Sequence, residues 1–570
     1  MRSSTRVSSH RFPFIGLLLS LGALSACVSK EEQATSEDVD PTAIGGDEGG
    51  GEDGGGDDGG GDDGGDDGGG DDGGGEDGGD TGTDPVDADG DGYTTEDGDC
   101  DDTDPEVNPA GVDDAWNNRD CDWGVDRSQL DTRISGSEGG RTLGYAVGLM
   151  PDVDGDGGAE IFATTRTGAS FSAHVWHGGD LSDGAQLTEA DAVGTVQLPL
   201  VGSLFPYATH GGDVLDTGGP TMVLIGAGLD GTHPTIYLVD LLSLAAGESL
   251  VPSDLPRLLG DDLSTGSSTG QGMTMDVDLD GDGFDDLVLG SPSAAGGRVD
   301  VHLAASLQAS PVRYTSDADL QIDSDIDGNL GGGISSAGDI DGDGYDDVFV
   351  GAPYYTVEGA ANYNGVSFIF SGAELAAGTV DSTDDALVRV VGNVGESMGG
   401  QGRIIADVTG DGESDVVFSA WAASSGLGAL QGSLWIFDRD AVEPGTLALE
   451  DAFHVVYGGR GIDQIGWFSY HDIPDLDGDG QQELFIAGQG DGGSQYILSR
   501  SAITEGGTTD LVPESTLHTW HVPETLYQAH SDAVFGDIDG DGESELLLQG
   551  AFDDLNGDDS GSLYRLPARL

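Results

Sequence analysis

Short apolar runs recur through most of the chain, each four to six residues long and set beside glycine. They read DLVLG (286–290), DVFVG (347–351), DVVFS (415–419), ELFIA (483–487) and ELLLQG (545–550). Rich in Val, Leu, Ile and Phe and far shorter than a helix needs, they predict buried β-strands. A second strand with alternating aromatics follows, as in VSFIF (366–370), SLWIF (433–437) and SLYRL (562–566). Glycine-rich stretches precede each pair, among them LGYAVG (143–148), LGGGISSAG (330–338) and MGGQGRIIA (398–406).

Between the glycine-rich stretch and the first apolar run lies a nine-residue polar loop, Asp-x-Asp-x-Asp-Gly-x-x-Asp/Glu. It starts at Asp152, Asp278, Asp339, Asp407, Asp475 and Asp537, with a decayed copy, DVLDTGGPT, at Asp213. Start-to-start distances are 61, 65, 61, 68, 68 and 62 residues. Seven copies at this period suit one four-stranded blade each, so the fold class is all-β, a seven-bladed β-propeller. The chain stops one strand short of a complete seventh blade. Gln129–Ile134 (QLDTRI) precedes the first loop as a strand without a blade, so an N-terminal strand is expected to close the ring and remove its open edges.

Carboxylates at positions 1, 3 and 5 converge on one side of a turn that Gly at position 6 permits. The carbonyl at 7 and the acid at 9 complete an oxygen cage of the kind Ca2+ takes. The expected ligands are Asp152, Asp154, Asp156 and Glu160; Asp278, Asp280, Asp282 and Asp286; Asp339, Asp341, Asp343 and Asp347. They continue as Asp407, Thr409, Asp411 and Asp415; Asp475, Asp477, Asp479 and Glu483; Asp537, Asp539, Asp541 and Glu545. Thr409 is a neutral oxygen and predicts a weaker site. The decayed copy, with Leu215, Thr217 and Thr221 at positions 3, 5 and 9, is expected to hold no ion. About six structural calcium ions follow.

Charge sharpens this expectation. Acids number 107 against 19 bases, a formal net of −88. Such a chain repels nucleic acid and anionic lipid and needs counter-ions to stay compact.

The N-terminal quarter is organised differently. Residues 1–26 read as a secretory signal: Arg2, Arg6 and Arg11, an apolar Phe14–Ala23, and Leu24-Ser25-Ala26-Cys27, which resembles a bacterial lipobox. That resemblance implies lipidation of Cys27 and an outer-membrane anchor, facing the periplasm or the cell surface. Residues 27–84 are mostly Gly with Asp-Asp or Glu-Asp pairs and predict a disordered tether reaching ~40 Å. Residues 85–125 form a small motif. Asp87, Asp89 and Asp91 open an EF-hand-type loop with room for one more ion in 87–99, and DCDDTDPEVNP resembles a bacterial metal-binding motif. The Glu-x-Cys usual there is missing, and a disulfide-stapled acidic linker is the competing reading. Cys100 and Cys121 are left as a pair in an oxidising compartment, so a disulfide is expected.

From 126 to 570 the chain resembles the FG-GAP repeats of integrin α subunits, with GAP at Gly351-Ala352-Pro353 and GSP at Gly290-Ser291-Pro292. The resemblance implies ligand binding on the face opposite the acidic loops. Tyr354, Tyr355 and Tyr363 after the intact GAP, with Trp421 and Phe552 in the matching loops, are the candidates; wedging between blades is the alternative. No HExxH or Walker loop occurs, the Gly-x-Ser-x-Gly strings at 266–270 and 395–399 are not read as nucleophile elbows, and His174/His177 and His518/His521 read as ordinary packing or surface residues. The leading reading is a monomeric, non-enzymatic, calcium-dependent adhesion or ligand-binding lipoprotein whose partner is a protein or glycan. A polysaccharide-acting, lyase-like enzyme and a purely structural envelope component are the alternatives.

Overall fold

The computed structural model describes residues 132–567 with short interruptions, the longest at 200–207, 261–271, 522–532 and 551–559, and a few positions between 88 and 105. Cys27, the tether, Asp87, Asp89, Asp91, Cys100 and Cys121 lie outside the described residues.

Seven antiparallel sheets follow one another along the chain. Blade 4 shows the plan: Gly333–Gly338, Asp347–Ala352, Val366–Phe370 and Val388–Val391, in that spatial order. The acidic loop joins its first and second strands. In blade 7 the chain supplies Ala533–Gly536, Glu545–Gly550 and Ser562–Pro567, and Arg133–Ser135 adds the fourth strand, pairing Ile134 with Leu563. The N-terminal strand therefore closes the wheel, as its position in the sequence predicts.

Strand periodicity explains how blades stack. Side chains alternate between the two faces of a strand, so Val348 and Val350 pack toward blade 3 while Phe349, between them, packs toward blade 5. Apolar clusters fill each of the seven blade interfaces, including the one that joins Ile134 and Ile161 to Leu547 and Leu563 across the closure. The GAP and GSP glycines make these seams possible. A Cβ on Gly351 would lie 2.0 Å from the carbonyl oxygen of Gly399, and one on Gly290 would lie 2.1 Å from that of Gly331. Backbone meets backbone there, which is why the motif needs Gly and why a glycine-rich stretch opens the next blade.

Four blades depart from the four-strand expectation by gaining a fifth. Gln186–Thr188, Val312–Tyr314, Gly445–Leu447 and Gly507–Asp510 each leave the connection between the third and fourth strands of one blade. Each pairs in parallel with the outer strand of the preceding blade. An outer strand presents a row of unpaired N–H and C=O groups, and these straps cover it while tying neighbours together.

Candidate metal sites

The acidic loops share one backbone design. Asp339 Oδ1 accepts from Gly342 N (2.7 Å) and Oδ2 from Gly344 N (3.0 Å), and both glycines have positive φ, at 76° and 94°. The same pair of bonds recurs at Asp152, Asp278, Asp407, Asp475 and Asp537. Position 5 holds its turn in the same way: Asp156, Asp282, Asp343, Asp411, Asp479 and Asp541 each accept from the N–H two residues on. Even the decayed copy keeps its first carboxylate, which accepts from Thr217 N and Gly218 N. The turn survives there without the ligands, because Leu215 replaces an acid and the Thr221 hydroxyl is buried without a hydrogen bond.

The acid at position 9 opens the second strand and lies under the loop. Glu160, Asp286, Asp347, Asp415, Glu483 and Glu545 are all buried. Each accepts from the N–H at position 2, as Asp347 Oδ2 does from Ile340 N at 2.8 Å. Burial pushes the Asp286 carboxyl up to about 7 and that of Asp347 up to about 6. Glu160, Asp415 and Glu545 are raised for the same reason. Single oxygens of Asp339, Asp341 and Asp347 lie within 4.8 Å of one another, as do those of Asp278, Asp280 and Asp282 and of Asp152, Asp154 and Asp156. A buried carboxylate beneath converging exposed ones is costly unless a cation joins them. The all-oxygen donor set and the orphaned, buried Glu160 Oε2 fit a divalent ion.

The loops are not equivalent. In blade 5 the Thr409 hydroxyl donates to Asp415 Oδ1 at 3.3 Å, and Thr409 N to Oδ2 at 2.9 Å. In blade 6, Asp475, Asp479 and Glu483 stand as expected, while Asp477 lies outside the described residues. In blade 7 a guanidinium enters the cage: Arg565 bonds Asp539 Oδ2, and its Nη2 lies 3.6 Å from Glu545 Oε1. Arg500 of blade 6 is buried between blades, donating from Nε to Gln482 O (2.9 Å) and pairing with Asp472. A cleft of about 560 Å3 opens beside it, lined by Asp407, Thr409, Gln481 and Arg500.

Sequence spacing missed one position beside the loops altogether. The residue at the end of the third strand, level with the position-9 acid, reaches the loop acids in blades 1 and 5. It is His177 in blade 1, Leu303 in blade 3, Ser371 in blade 4, Asp438 in blade 5, Ser499 in blade 6 and Pro567 in blade 7. Asp438 joins Asp411 and Asp440 in one acidic group. His174 is a packing residue, as expected, held between the hydroxyls of Thr165 and Thr195 (2.9 Å each). His177 is not an ordinary surface residue: its Nδ1 lies 3.1 Å from Asp154 Oδ2. The register of strand three against strand two gives this position, and that register is invisible to loop-motif spacing.

On an antiparallel blade the turn from strand two to strand three lies at the opposite end from the acidic loop. Tyr354, Tyr355 and Tyr363 occupy that end of blade 4. Tyr354 and Tyr363 stack edge to face at 5.2 Å, and Tyr363 is exposed. Tyr355 is a wedge: it packs on the blade core under Arg389 (5.4 Å to the ring) and accepts from Arg389 Nη2 at 3.1 Å. Trp421 packs against Trp467 of blade 6 at 4.7 Å. Phe552 lies outside the described residues.

The wheel, its glycine seams and its repeated acidic turns define a seven-bladed β-propeller. The chain carries FG-GAP repeats: the FG-GAP repeat family model matches residues 270–302 and 331–370. Integrin alpha pat-2 of Caenorhabditis elegans is 28% identical over 261 residues, which is 42% of this chain and 19% of that protein. Integrin alpha-PS2 of Drosophila melanogaster is 36% identical over 107 residues, 17% of this chain and 7% of that protein. The chain thus spans about a fifth or less of the length of these relatives. Among solved structures, BBS1N crystallised with ARL6DN is 13% identical over 77% of this chain and 99% of that one, at a TM-score of 0.36.

Proposed function

We propose that this protein is a non-enzymatic, calcium-dependent ligand-binding or adhesion module, carried on an acidic tether from a lipid anchor at Cys27. The observation that carries the calcium reading is the buried position-9 carboxylate, set under exposed acids in loop after loop. Calcium suits the all-oxygen loops of blades 3, 4, 5 and 6, with blade 5 the weakest because Thr409 stands at position 3. In blade 7 Arg565 already supplies a positive charge, and in blade 1 His177 puts a nitrogen beside Asp154, so four calcium ions are expected from the six loops. At tenfold saturation each ion contributes about 1.4 kcal/mol. Four contribute roughly 6 kcal/mol, comparable to the net stability of a domain.

Ligand binding is assigned to the face that bears Tyr354 and Tyr363. An aromatic pair partly open to solvent, on a rim of polar loops, suits a sugar or a protein side chain. Calorimetric calcium titration of the full chain tests the first part, and unchanged melting after exhaustive EGTA dialysis would defeat it. A glycan and matrix-protein array, read with and without calcium and repeated with Tyr354→Ala/Tyr363→Ala, tests the second. Binding that survives both the chelator and the substitutions would defeat it.

A further inference from the structure

The blade 1 loop differs from the others in the type of ligand it offers. Glu160 is fully buried. Its Oε1 accepts from Val153 N (2.7 Å) and Asp154 N (3.1 Å), while Oε2 meets no hydrogen-bond partner. His177 turns onto the same spot. Its Nδ1 is shielded from solvent and makes no hydrogen bond, although Asp154 Oδ2 lies 3.1 Å away and Glu160 Oε1 3.7 Å away. Two glycines let the histidine turn come so close: a Cβ on Gly178 would meet the Ile538 carbonyl oxygen at 2.1 Å, and one on Gly179 would meet Asp156 Oδ2 at 2.2 Å.

The distances carry the argument further. Ligands at 2.0–2.1 Å around a tetrahedral zinc ion lie ~3.3 Å from one another. The Nδ1 separations of 3.1 and 3.7 Å bracket that value. Two carboxylates and one imidazole, with a water in the fourth position, are a donor set that suits zinc. Calcium asks for six to eight oxygens and takes imidazole poorly. No other loop offers nitrogen at this position: blades 4, 5 and 6 present Ser371, Asp438 and Ser499, and blades 3 and 7 present Leu303 and Pro567.

We infer that blade 1 holds a zinc-class transition-metal ion on Asp154, Glu160 and His177 Nδ1, in a ring whose all-oxygen loops hold calcium. The inference rests on the reading that these loops bind cations, and it assigns one of them to a different chemical class.

The test uses the full chain, stripped of metal, returned to millimolar calcium and titrated with Zn2+ or Co2+. One zinc per chain should remain bound against excess calcium, and Co2+ should show the intense visible bands of a four-coordinate site. In His177→Ser, which installs the residue found in blades 4 and 6, zinc affinity should fall by about 100-fold or more. That is at least the ~10–100-fold cost of losing only an outer partner of a ligand. Displacement of the ion by calcium, or an unchanged zinc content in His177→Ser, would overturn the assignment. Zinc bound at Cys100, Cys121 or another histidine would persist in the variant and so counts against it. Should the variant unfold, the Co2+ spectrum of the parent chain decides, since six-coordinate weak bands exclude the site. Calcium stoichiometry measured in the same samples stands apart, because its loss would defeat the calcium reading and leave the zinc result untouched.

Discussion

Replacing Asp286 with Asn separates the two jobs this side chain does, forming a turn and holding a cation. Burial holds its carboxyl up to about 7 against an ordinary 3.8, roughly three units, or about 4 kcal/mol against the ionised form at pH 8. Asn keeps the shape and removes the charge, but it accepts on one oxygen only. Asp286 uses both, Oδ2 for Leu279 N (3.0 Å) and Oδ1 for Ala304 N (2.7 Å), so one buried N–H is orphaned at a cost of ~1–3 kcal/mol. Without calcium, Asp286→Asn should therefore stabilise the protein by about 1–3 kcal/mol at pH 8. In millimolar calcium only the parent gains the ion, about 1.4 kcal/mol, so the advantage of the variant should shrink by that amount, to between about 2 kcal/mol and nothing. Urea unfolding in EGTA and in calcium reads both. The same group sets a pH trend. Its proton is held more tightly in the folded than in the unfolded state, so this contribution to the calcium-free protein is complete below about pH 4 and is lost as pH rises through 7. Calcium should invert the trend by favouring the carboxylate. Equal destabilisation by Asp286→Asn with and without calcium would refute the reasoning, since the carboxylate would then be a turn-former and nothing more.

The wheel and its charges yield three further expectations. Gly351→Ala places a methyl 2.0 Å from the Gly399 carbonyl oxygen and should cost ~3 kcal/mol; a parental urea midpoint would mean that this seam is not tight. Arg565→Gln removes the guanidinium that meets Asp539 and Glu545, so calcium stoichiometry should rise by one while stability in EGTA falls; an unchanged ion count would deny that Arg565 occupies the cage. Ile134→Asp buries an unpaired acid where the closing strand meets Leu547 and Leu563 and should cost ~3–5 kcal/mol or abolish cooperative unfolding; parental denaturation would contradict closure by residues 133–135.

Much of this was legible in the sequence because the fold is a repeat, and repeats state their own period. Each acidic loop is local: nine consecutive residues set the turn, the converging carboxylates and the start of the second strand, so the turn from Asp339 to Asp347 could be placed without any tertiary information. Closure was legible for the same reason, since a blade short at one end of the chain matched a strand left over at the other. The straps were not. Gly445–Leu447 and Gly507–Asp510 are three and four residues with little apolar pattern, and only the outer strand of the neighbouring blade makes them strands at all. His177, Arg500 and Arg565 were equally hidden. Each reaches the loops from outside the nine-residue motif, along a path fixed by strand register and blade order. A motif reports its own ligands. It does not report which cation from elsewhere in the fold arrives first.

The same non-local contacts link cation binding to the integrity of the ring. Asp285 of blade 3 accepts from Asp213 N of the blade 2 loop at 3.1 Å, and Asp346 of blade 4 accepts from Asp278 N of the blade 3 loop at 3.3 Å. Asp472 of blade 6 accepts from Ala406 N, just ahead of the blade 5 loop, at 2.6 Å. Burial and the neighbouring Asp276, Asp278 and Asp346 push Asp285 up to about 6, while the Asp213 N–H works the other way, so its ionised form is strained by acids of its own blade and of blade 4. A cation at Asp278–Asp286 would relieve that strain for the seam as well as for its own loop, because Asp285, next to the position-9 acid, is the residue that meets the neighbouring blade. In a chain with 107 acids and 19 bases, divalent ions held in these loops would act at the joints between blades. Their removal should loosen blade-to-blade contact before it unravels any single sheet, an order that hydrogen exchange in EGTA would show as early exposure of the Gly212–Asp213 and Asp278 amides ahead of the Asp347–Ala352 strand.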